Sequence, residues 1–452
     1  MAFPNNQCFP AQPLRRVCFI TLGCAKNEVD TATMKRRVLD AGYVLTDDPE
    51  SADAIIVNTC SFIQSATEES IDTILEVCQL PNMQEGSAKL IVAGCMPARY
   101  GDDLEPELPE ARAFVACSKE DDIAVVLDRL FADDPASSRV PSDASSCAAV
   151  QTRVQLDYPA AYVKISDGCD RFCSFCMIPY IRGRYHSFEY EQIEQEVAAR
   201  TADGAREITL IAQDTGRWGR DLSPASSTAS LVSRLAERFP DTWFRIMYLE
   251  PEGVTDELLE AMASHSNICR YLDIPLQHSS ARILADMNRA GDAEAFKAMV
   301  DRIRSRIPDI TLRTTLIAGF PGETDEDVDD LEDFLDAVGF DYVGVFAFSP
   351  EEGTCAAELS GQIDDETRME RAQRLRDFCD SVSFARIAER EGREMDVLVL
   401  GAEEDGQLFG RAQCQAPEVD GVVYLESGEP GEFVRVVITD TLAYEMEGDI
   451  VG

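Results

Sequence analysis

The sequence predicts an α/β protein in three parts: an N-terminal open parallel α/β sheet, a central partial (β/α) TIM-like barrel, and a small C-terminal antiparallel β-barrel. Two separate runs of short apolar strands alternate with amphipathic helical stretches, the signature of parallel α/β architecture. After residue 390 the pattern changes to short β-branched segments broken by Gly and acidic turns. The 452 residues fit about three domains at roughly 150 each. A hydrophobic content of 45% fills ordinary cores and excludes a largely disordered chain.

In the first part, VCFITLG (17–23), AIIVNT (54–59), KLIVAG (89–94) and AFVAC (113–117) read as buried strands. Amphipathic stretches at 27–41 and 63–80 lie between them, and one strand–helix unit per about 35 residues implies a parallel sheet. Residues 132–151 carry Pro, Ser and Ala without periodicity and read as a linker. Candidate barrel strands follow: AYVKIS (161–166), EITLIAQ (207–213), WFRIMYLE (243–250), YLDIPL (271–276), TLRTTLIAGF (311–320) and DYVGVFAF (341–348). Six strand–helix units in about 200 residues favour a barrel, complete or partial, over a second open sheet. A charged helix near 364–390 ends this part. MDVLVLG (395–401), QLFGRAQ (407–413), GVVYLES (421–427) and FVRVVITDTL (433–442) then form the small β-barrel. The expected domains are 14–135, a linker at 136–154, 155–390 and 391–452.

No stretch approaches ~18 uncharged apolar residues, so no membrane span is expected. The N-terminus MAFPNNQCFPAQPLRRV lacks the apolar run of a signal peptide. The expected compartment is the cytoplasm, where fifteen cysteines point to metal or cluster ligation rather than disulfides. The formal net charge is −42, from 83 acids and 41 bases, and residues 391–452 alone hold 15 acids against 3 bases. A duplex or tRNA binder needs basic side chains to neutralise phosphates, and no domain here carries that footprint. A globally acidic proteome, as in salt-adapted organisms, is the plainer explanation of the same count.

Cys169, Cys173 and Cys176 lie in DGCDRFCSFC, directly after the first barrel strand. Thiolates at C-x3-C-x2-C can each take one corner of a 4Fe–4S cube and leave one iron open. Structural zinc normally takes four protein ligands, and His186 is the nearest candidate for a fourth. A second set is spread wider. Cys24, Cys60 and Cys95 each follow a predicted parallel strand, in ITLGC, IVNTC and VAGC, at separations of 36 and 35 residues. The carboxyl ends of parallel strands share one edge, where ligands gather, so these thiolates can hold a second cluster with its own open iron. The plainer reading is three small buried residues, which Cys commonly supplies. The remaining cysteines have no such spacing; Cys8 is near a terminus and Cys147 is in the linker.

Barrel active sites lie at the carboxyl ends of the strands. IAGFPGET (317–324) follows the fifth barrel strand, where Gly319, Pro321 and Gly322 let the backbone approach a small molecule closely or else form a structural turn. Gln213 and Asp214 follow the second strand, Glu250 the third, and Gln277 and His278 the fourth. Gln213, Glu250, Gln277, Gly319, Pro321 and Gly322 are therefore the candidate cofactor-binding residues, though any one polar group there can instead cap a helix. No catalytic acid, base or nucleophile is singled out.

These motifs together resemble the radical S-adenosylmethionine methylthiotransferases, over nearly the whole chain from Arg16 to Ile450. LGCAKNEVD around Cys24, IVNTCSFI around Cys60, AGCMPARYG around Cys95 and TLIAGFPGET are similar to that family's signatures. The resemblance implies an auxiliary-cluster domain, a radical barrel and a terminal β-barrel called TRAM. It implies two 4Fe–4S clusters and S-adenosyl-L-methionine as cofactors. Cys169, Cys173 and Cys176 would hold the cluster whose open iron takes the amino and carboxyl groups of S-adenosyl-L-methionine. Its reductive cleavage gives a 5′-deoxyadenosyl radical that abstracts hydrogen from an unactivated carbon. Cys24, Cys60 and Cys95 would hold the auxiliary cluster that carries the sulfur, while a second S-adenosyl-L-methionine supplies the methyl. A low-potential electron donor is implied as a partner. A carbon radical and its sulfur donor must be close, so both open irons are expected to face one cavity.

The family divides by substrate, between a tRNA adenosine and the β-carbon of an aspartate in ribosomal protein uS12. IAQDTGRWG (211–219), YLDIPLQHSS (271–280) and GRAQCQAPEVDGVVYL (410–425) resemble the uS12 branch. The acidic terminal domain supplies a physical reason, since it would attract a basic ribosomal protein, free or in the small subunit, and repel tRNA. The expected function is thus uS12 aspartate methylthiolation, with tRNA methylthiolation as the alternative. Two stretches depart from the pattern. Phe188 stands in IRGRYHSF (181–188) where relatives often carry Arg, and MNRAG (287–291) is nearer the tRNA branch, which leaves substrate contacts there open. A non-enzymatic iron–sulfur electron carrier would use the six cysteines but leave the Gly-rich turns without a role. A radical enzyme that inserts no sulfur would not need Cys24, Cys60 or Cys95.

Overall fold

The structure, a computed structural model, describes residues 15–132 and 156–451. The expected linker, Cys8 and Cys147 lie outside the described residues. The chain divides into two compact units, Met1–Val154 and Gln155–Gly452.

The first unit is a five-stranded sheet of β1 (Arg16–Thr21), β2 (Val44–Leu45), β3 (Ala54–Thr59), β4 (Lys89–Gly94) and β5 (Ala111–Ala116), in the order β2-β1-β3-β4-β5. Every pairing is parallel. All six residues of β3 are buried, as a central strand covered on both faces requires. The helices Ala25–Asp40 and Ile123–Ala132 pack Met34, Val38 and Leu127 against Val17 and Ile56 on one face. The helix Gln64–Cys78 packs Ile74 and Val77 against Ile55, Val57 and Val92 on the other. The register pairs Thr21 with Asn58 and Thr59 with Gly94, so the carboxyl ends of β1, β3 and β4 are nearly level. The edge strand β2 was not expected; two half-exposed residues carry no period to read.

The second unit opens with β6 (Ala160–Lys164) and a short ribbon of β7 (Ser166–Asp167) and β8 (His186–Ser187). The strands β9 (Glu207–Ile211), β10 (Trp243–Ile246), β11 (Ile268–Asp273), β12 (Thr311–Ala318) and β13 (Tyr342–Ala347) follow. Six parallel strands stand in sequence order, β13-β12-β11-β10-β9-β6, so the barrel is partial, with β6 and β13 as its edges. Its core packs helices such as Thr228–Arg238 and Asp325–Val338 onto Ile208, Leu210, Phe244, Leu272, Leu312 and Leu316.

The helix Asp365–Ala388 leads into a closed barrel of β14 (Glu394–Ala402), β15 (Leu408–Ala412), β16 (Val423–Leu425), β17 (Phe433–Leu442) and β18 (Glu445–Ile450). The expectation of an antiparallel barrel needs one correction: β16 and β18 pair in parallel. A closed ring of five strands cannot alternate direction throughout, so one neighbouring pair must run the same way. The fifth strand, EMEGDI, has three acids and only Met446 and Ile450 as apolar residues, so it gives almost no hydrophobic signal.

This barrel docks toward the amino ends of the larger barrel's strands through buried charge. Glu207, the first residue of β9, accepts from Arg245 Nε at 2.8 Å and from Arg411 Nε and Nη2 at 2.9 and 2.8 Å. Arg245 also donates to the carbonyl of Gln413 at 2.8 Å, and Tyr271 donates to Asp420. The opposite, carboxyl-end rim is thereby left for chemistry. Among the described residues no helix is long and apolar enough to cross a membrane.

Candidate metal centres and cofactor rim

In the first unit each cysteine of the wide set stands where a strand gives way to a helix. Cys24, extended at φ −110°, precedes the helix Ala25–Asp40 and accepts at its carbonyl from Asn27 N at 2.8 Å. Cys60 follows β3, and Ser70 Oγ of the next helix bridges its backbone, accepting from Cys60 N at 3.1 Å and donating to Cys60 O at 2.8 Å. Cys95 opens the helix Cys95–Tyr100. Two glycines permit the approach. A Cβ on Gly23, at φ +93°, would lie 2.5 Å from Cys60 Cβ, and one on Gly94, at φ +95°, would lie 2.3 Å from Asn58 Oδ1. Asn27 ties the three strand ends together. Fully buried, it donates from Nδ2 to Leu22 O at 2.9 Å and Thr59 O at 3.0 Å, and Cys95 Sγ contacts its Oδ1 at 3.8 Å. Cys60 and Cys95 are buried while Cys24 is exposed, so the set opens to solvent on one side.

In the second unit Cys169, Cys173 and Cys176 lie on the loop between β7 and β8. Cys169 N donates to Gly183 O at 3.1 Å and Cys176 N to Cys173 O at 3.0 Å. Burial raises all three thiols, Cys176 to about 12, and the Cys173 and Cys169 thiolates push Cys176 further in that direction. Burial thus favours the neutral thiols, and ligation as thiolates requires a cation to offset the desolvation. Among the described residues no group of three or more His, Cys, Asp or Glu converges as a single ion requires. Three thiolates in each set fall one short of the four protein ligands of structural zinc and equal the number that leaves one iron of a 4Fe–4S cube open. His186, the alternative fourth zinc ligand, is an exposed residue of β8.

The loop is held by residues outside the cysteine motif. Arg171 Nε donates to the buried Asp214 Oδ2 at 2.7 Å, and its Nη1 pairs with Glu252 at 3.1 Å. Ser174 N donates to Met287 O at 3.0 Å, and Asn288 Nδ2 donates to the carbonyls of Arg171 and Phe172 at 3.0 Å each. Arg289 donates from Nη1 to Glu250 at 2.9 Å and from Nη2 to Pro275 O at 2.7 Å. Non-glycine residues with left-handed φ gather here: Phe172 at 49°, Tyr248 at 60°, Gln277 at 72° and Asn288 at 58°. Each costs about 1 kcal/mol or more, and such strain persists where the surroundings over-determine it.

The expected rim residues all stand at the carboxyl ends of the strands. Gln213, after β9, has both amide atoms buried without a hydrogen-bond partner among the described residues. Glu250, after β10, is raised to about 7 by burial against the opposing pull of Arg289 and Arg171. Gln277, after β11, exchanges backbone bonds with β12: its N donates to Thr315 O at 2.8 Å, and Ile317 N donates to its carbonyl at 2.9 Å. Gly319 follows β12. Its N–H donates to both oxygens of Glu323 at 2.9 and 3.0 Å, and a Cβ on it would lie 2.5 Å from Arg368 Cγ. The close approach made by Gly319 is to the chain's own helix Asp365–Ala388. Pro321 is buried beside it, and Gly322 N donates to Gly361 O at 2.9 Å. His278 Nδ1 accepts from Ser279 N and Ser280 N at 2.9 Å each, which fixes a local turn. The two departing stretches serve the fold: Phe188 packs on the barrel core and accepts at its carbonyl from Trp218 Nε1 at 3.0 Å, and Met287 is fully buried. Sequence reasoning missed Asn27, Tyr248, Asn288 and Arg289. The signal available for Asn288 and Arg289 was MNRAG, noted for its departure and not for its contacts.

Three family models match the chain: "Uncharacterized protein family UPF0004" over residues 16–116, the radical SAM superfamily over 163–335, and the TRAM domain over 392–451. The ribosomal protein uS12 methylthiotransferase RimO of Desulfitobacterium hafniense is 39% identical over 444 residues, covering 97% of this chain and 99% of that protein. Its counterpart from Geobacter sulfurreducens is 41% identical over 444 residues, with the same coverage. The chain belongs to the RimO family. The described secondary structure agrees with the family's three parts: parallel sheet, partial barrel and closed five-stranded barrel. Among solved structures, the radical S-adenosylmethionine methyltransferase TsrM from Kitasatospora setae matches at a TM-score of 0.54 and 15% identity, over 76% of this chain and 77% of that one. That likeness is one of fold.

Proposed function

We propose that this chain is a radical S-adenosyl-L-methionine methylthiotransferase that inserts sulfur and transfers methyl at the β-carbon of an aspartate in ribosomal protein uS12. The observation that carries the reading is the second cysteine set, Cys24, Cys60 and Cys95 at three neighbouring strand ends, in a chain 39% identical over 97% of its length to a uS12 methylthiotransferase. We assign Cys169, Cys173 and Cys176 to one 4Fe–4S cluster and Cys24, Cys60 and Cys95 to an auxiliary one. When bound, the first cluster and S-adenosyl-L-methionine supply a hydrogen-abstracting 5′-deoxyadenosyl radical, and the auxiliary cluster supplies sulfur.

The chain's own residues hold and orient. Asn27 fixes the spacing of the three N-terminal strand ends. Arg171, Asp214 and Asn288 fix the barrel loop. Gln213 offers a buried amide donor and acceptor to a polar cofactor group. Glu250 and Gln277 border the same rim, and Glu323 holds the turn of Gly319, Pro321 and Gly322 rigid beside it. We divide the labour as 14–135 for the auxiliary cluster, 136–154 as linker, 155–390 for radical chemistry and 391–452 for recruiting the substrate. The terminal domain's three bases are engaged: Arg411 with Glu207, Arg435 with Glu394 and Asp396, and Arg393 with Glu389. Its free charge is therefore acidic, which suits a basic ribosomal protein and disfavours tRNA. A low-potential electron donor and a cytoplasmic setting complete the reading.

The test is mass spectrometry after anaerobic reaction of the reconstituted protein with S-adenosyl-L-methionine, reductant and sulfide. A uS12 peptide carrying the target loop and unmodified tRNA are run in parallel. A methylthio adduct on the peptide's aspartate alone is expected; an adduct on tRNA adenosine alone would overturn the substrate assignment.

A further inference from the structure

Three consecutive residues, 287–289, close on the cysteine loop, and the third does something the first two do not. Met287 O accepts from Ser174 N and Asn288 Nδ2 donates to two loop carbonyls, so the backbone of the loop is already held. Arg289 reaches past it, with Nη1 4.0 Å from Cys173 Sγ. Its guanidinium is fixed on both arms, by Glu250 and by Pro275 O. The Arg289 and Glu250 side chains are 5% and 8% exposed. A buried ion pair confers little net stability compared with apolar side chains of similar volume. Its placement against a cysteine sulfur therefore points to electrostatics at that sulfur.

We propose that Arg289 is a positioning residue that, with Glu250 as its counter-charge, sets the reduction potential of the cluster at Cys169, Cys173 and Cys176. The inference rests on the ligand assignment above. A positive donor aimed at a cluster sulfur favours the reduced, more negative state and raises the potential. Glu250 opposes it by neutralising the guanidinium and adding its own negative charge nearby. The two residues thus act with opposite sign, although each removes half of the same ion pair.

The test is an EPR-monitored redox titration of the full chain carrying Cys24→Ala, Cys60→Ala and Cys95→Ala, so that one cluster is observed, without S-adenosyl-L-methionine. Arg289→Gln is expected to lower the midpoint and Glu250→Gln to raise it. Each shift should reach at least a tenfold change in the reduced-to-oxidised ratio, about 59 mV for one electron. A parent that binds no iron would refute the ligand assignment itself. A parent that holds its cluster, with both variants at its potential or moved in one direction, overturns this inference alone. If Arg289→Gln loses the cluster, Glu250→Gln decides: a potential at or below the parent's overturns it. Loss of the cluster from both variants overturns it in favour of a purely structural clamp.

Discussion

Asn27 shows what a single uncharged side chain can do at the end of a parallel sheet. It joins the ends of β1 and β3 by two hydrogen bonds and contacts Cys95 beyond β4. Asn27→Ala leaves the buried Thr59 carbonyl and the partly buried Leu22 carbonyl short of a donor, at roughly 1–3 kcal/mol for a buried group left unsatisfied. The expected outcome is a lower urea midpoint and fewer irons per chain, measured with Cys169, Cys173 and Cys176 intact. Replacing Cys24, Cys60 or Cys95 by Ala is a cleaner cut. Each variant is expected to keep producing 5′-deoxyadenosine while losing the methylthiolated peptide, both read by chromatography and mass spectrometry. Retention of product would remove the auxiliary set from the chemistry. The placement of Cys24, Cys60 and Cys95 at strand ends was legible because they follow the strand period, and that of Cys169, Cys173 and Cys176 because they lie close together after one strand. Asn27, Asn288 and Arg289 were not, since their meaning depends on which strand ends become neighbours. Gly319 was legible as a tight turn, whereas sequence does not reveal that Arg368 packs over it.

At the scale of elements, strands and long helices were readable from apolar runs, whereas β2 and β18 escaped for want of any. The same limit hid how the terminal barrel is joined to the larger one. Glu207 and Arg245 read as ordinary strand polar residues, yet both are completely buried and Arg411 arrives from 166 residues beyond Arg245 to share Glu207. Arg411→Met leaves a buried carboxylate with one guanidinium instead of two. Breaking such a network costs about 3–5 kcal/mol, expected as a fall in unfolding free energy in urea. Asp420 gives the pH dependence of this junction. Burial pushes its carboxyl up to about 6, against the pull of Arg313 and the Tyr271 hydroxyl. A raised carboxyl favours the protonated native state, so its contribution is fully present below about 4, the unfolded value, and is lost as pH rises through about 6. Asp420→Asn cannot ionise. The stability of the wild type relative to this variant should therefore fall between about pH 4 and 6 and level off above; a constant difference would show that Asp420 does not titrate there.

At the scale of the whole molecule, a net charge of −42 has two readings: general solvation in an acidic proteome, or a field that recruits a basic substrate. The terminal barrel makes the choice testable, because its bases are all spent on partners and its turn at Glu403, Glu404 and Asp405 is exposed. This barrel packs toward the amino ends of the larger barrel's strands, away from the rim where Glu250 and Gln277 stand. On the recruitment reading its acids act on capture of the substrate and not on the reacting carbon. Glu403→Gln, Glu404→Gln and Asp405→Asn together should raise KM for intact uS12 severalfold and leave kcat unchanged. The wild-type KM should itself climb as ionic strength rises from about 0.05 to 0.5 M, since screening over about 10 Å or less at and above 0.1 M weakens attraction between exposed charges. The triple variant should climb less. A short uS12 peptide confined to the rim should ignore both changes. If KM for intact uS12 is the same in the triple variant and insensitive to salt, the acidity of this domain serves solvation, and recruitment must be sought elsewhere on the second unit.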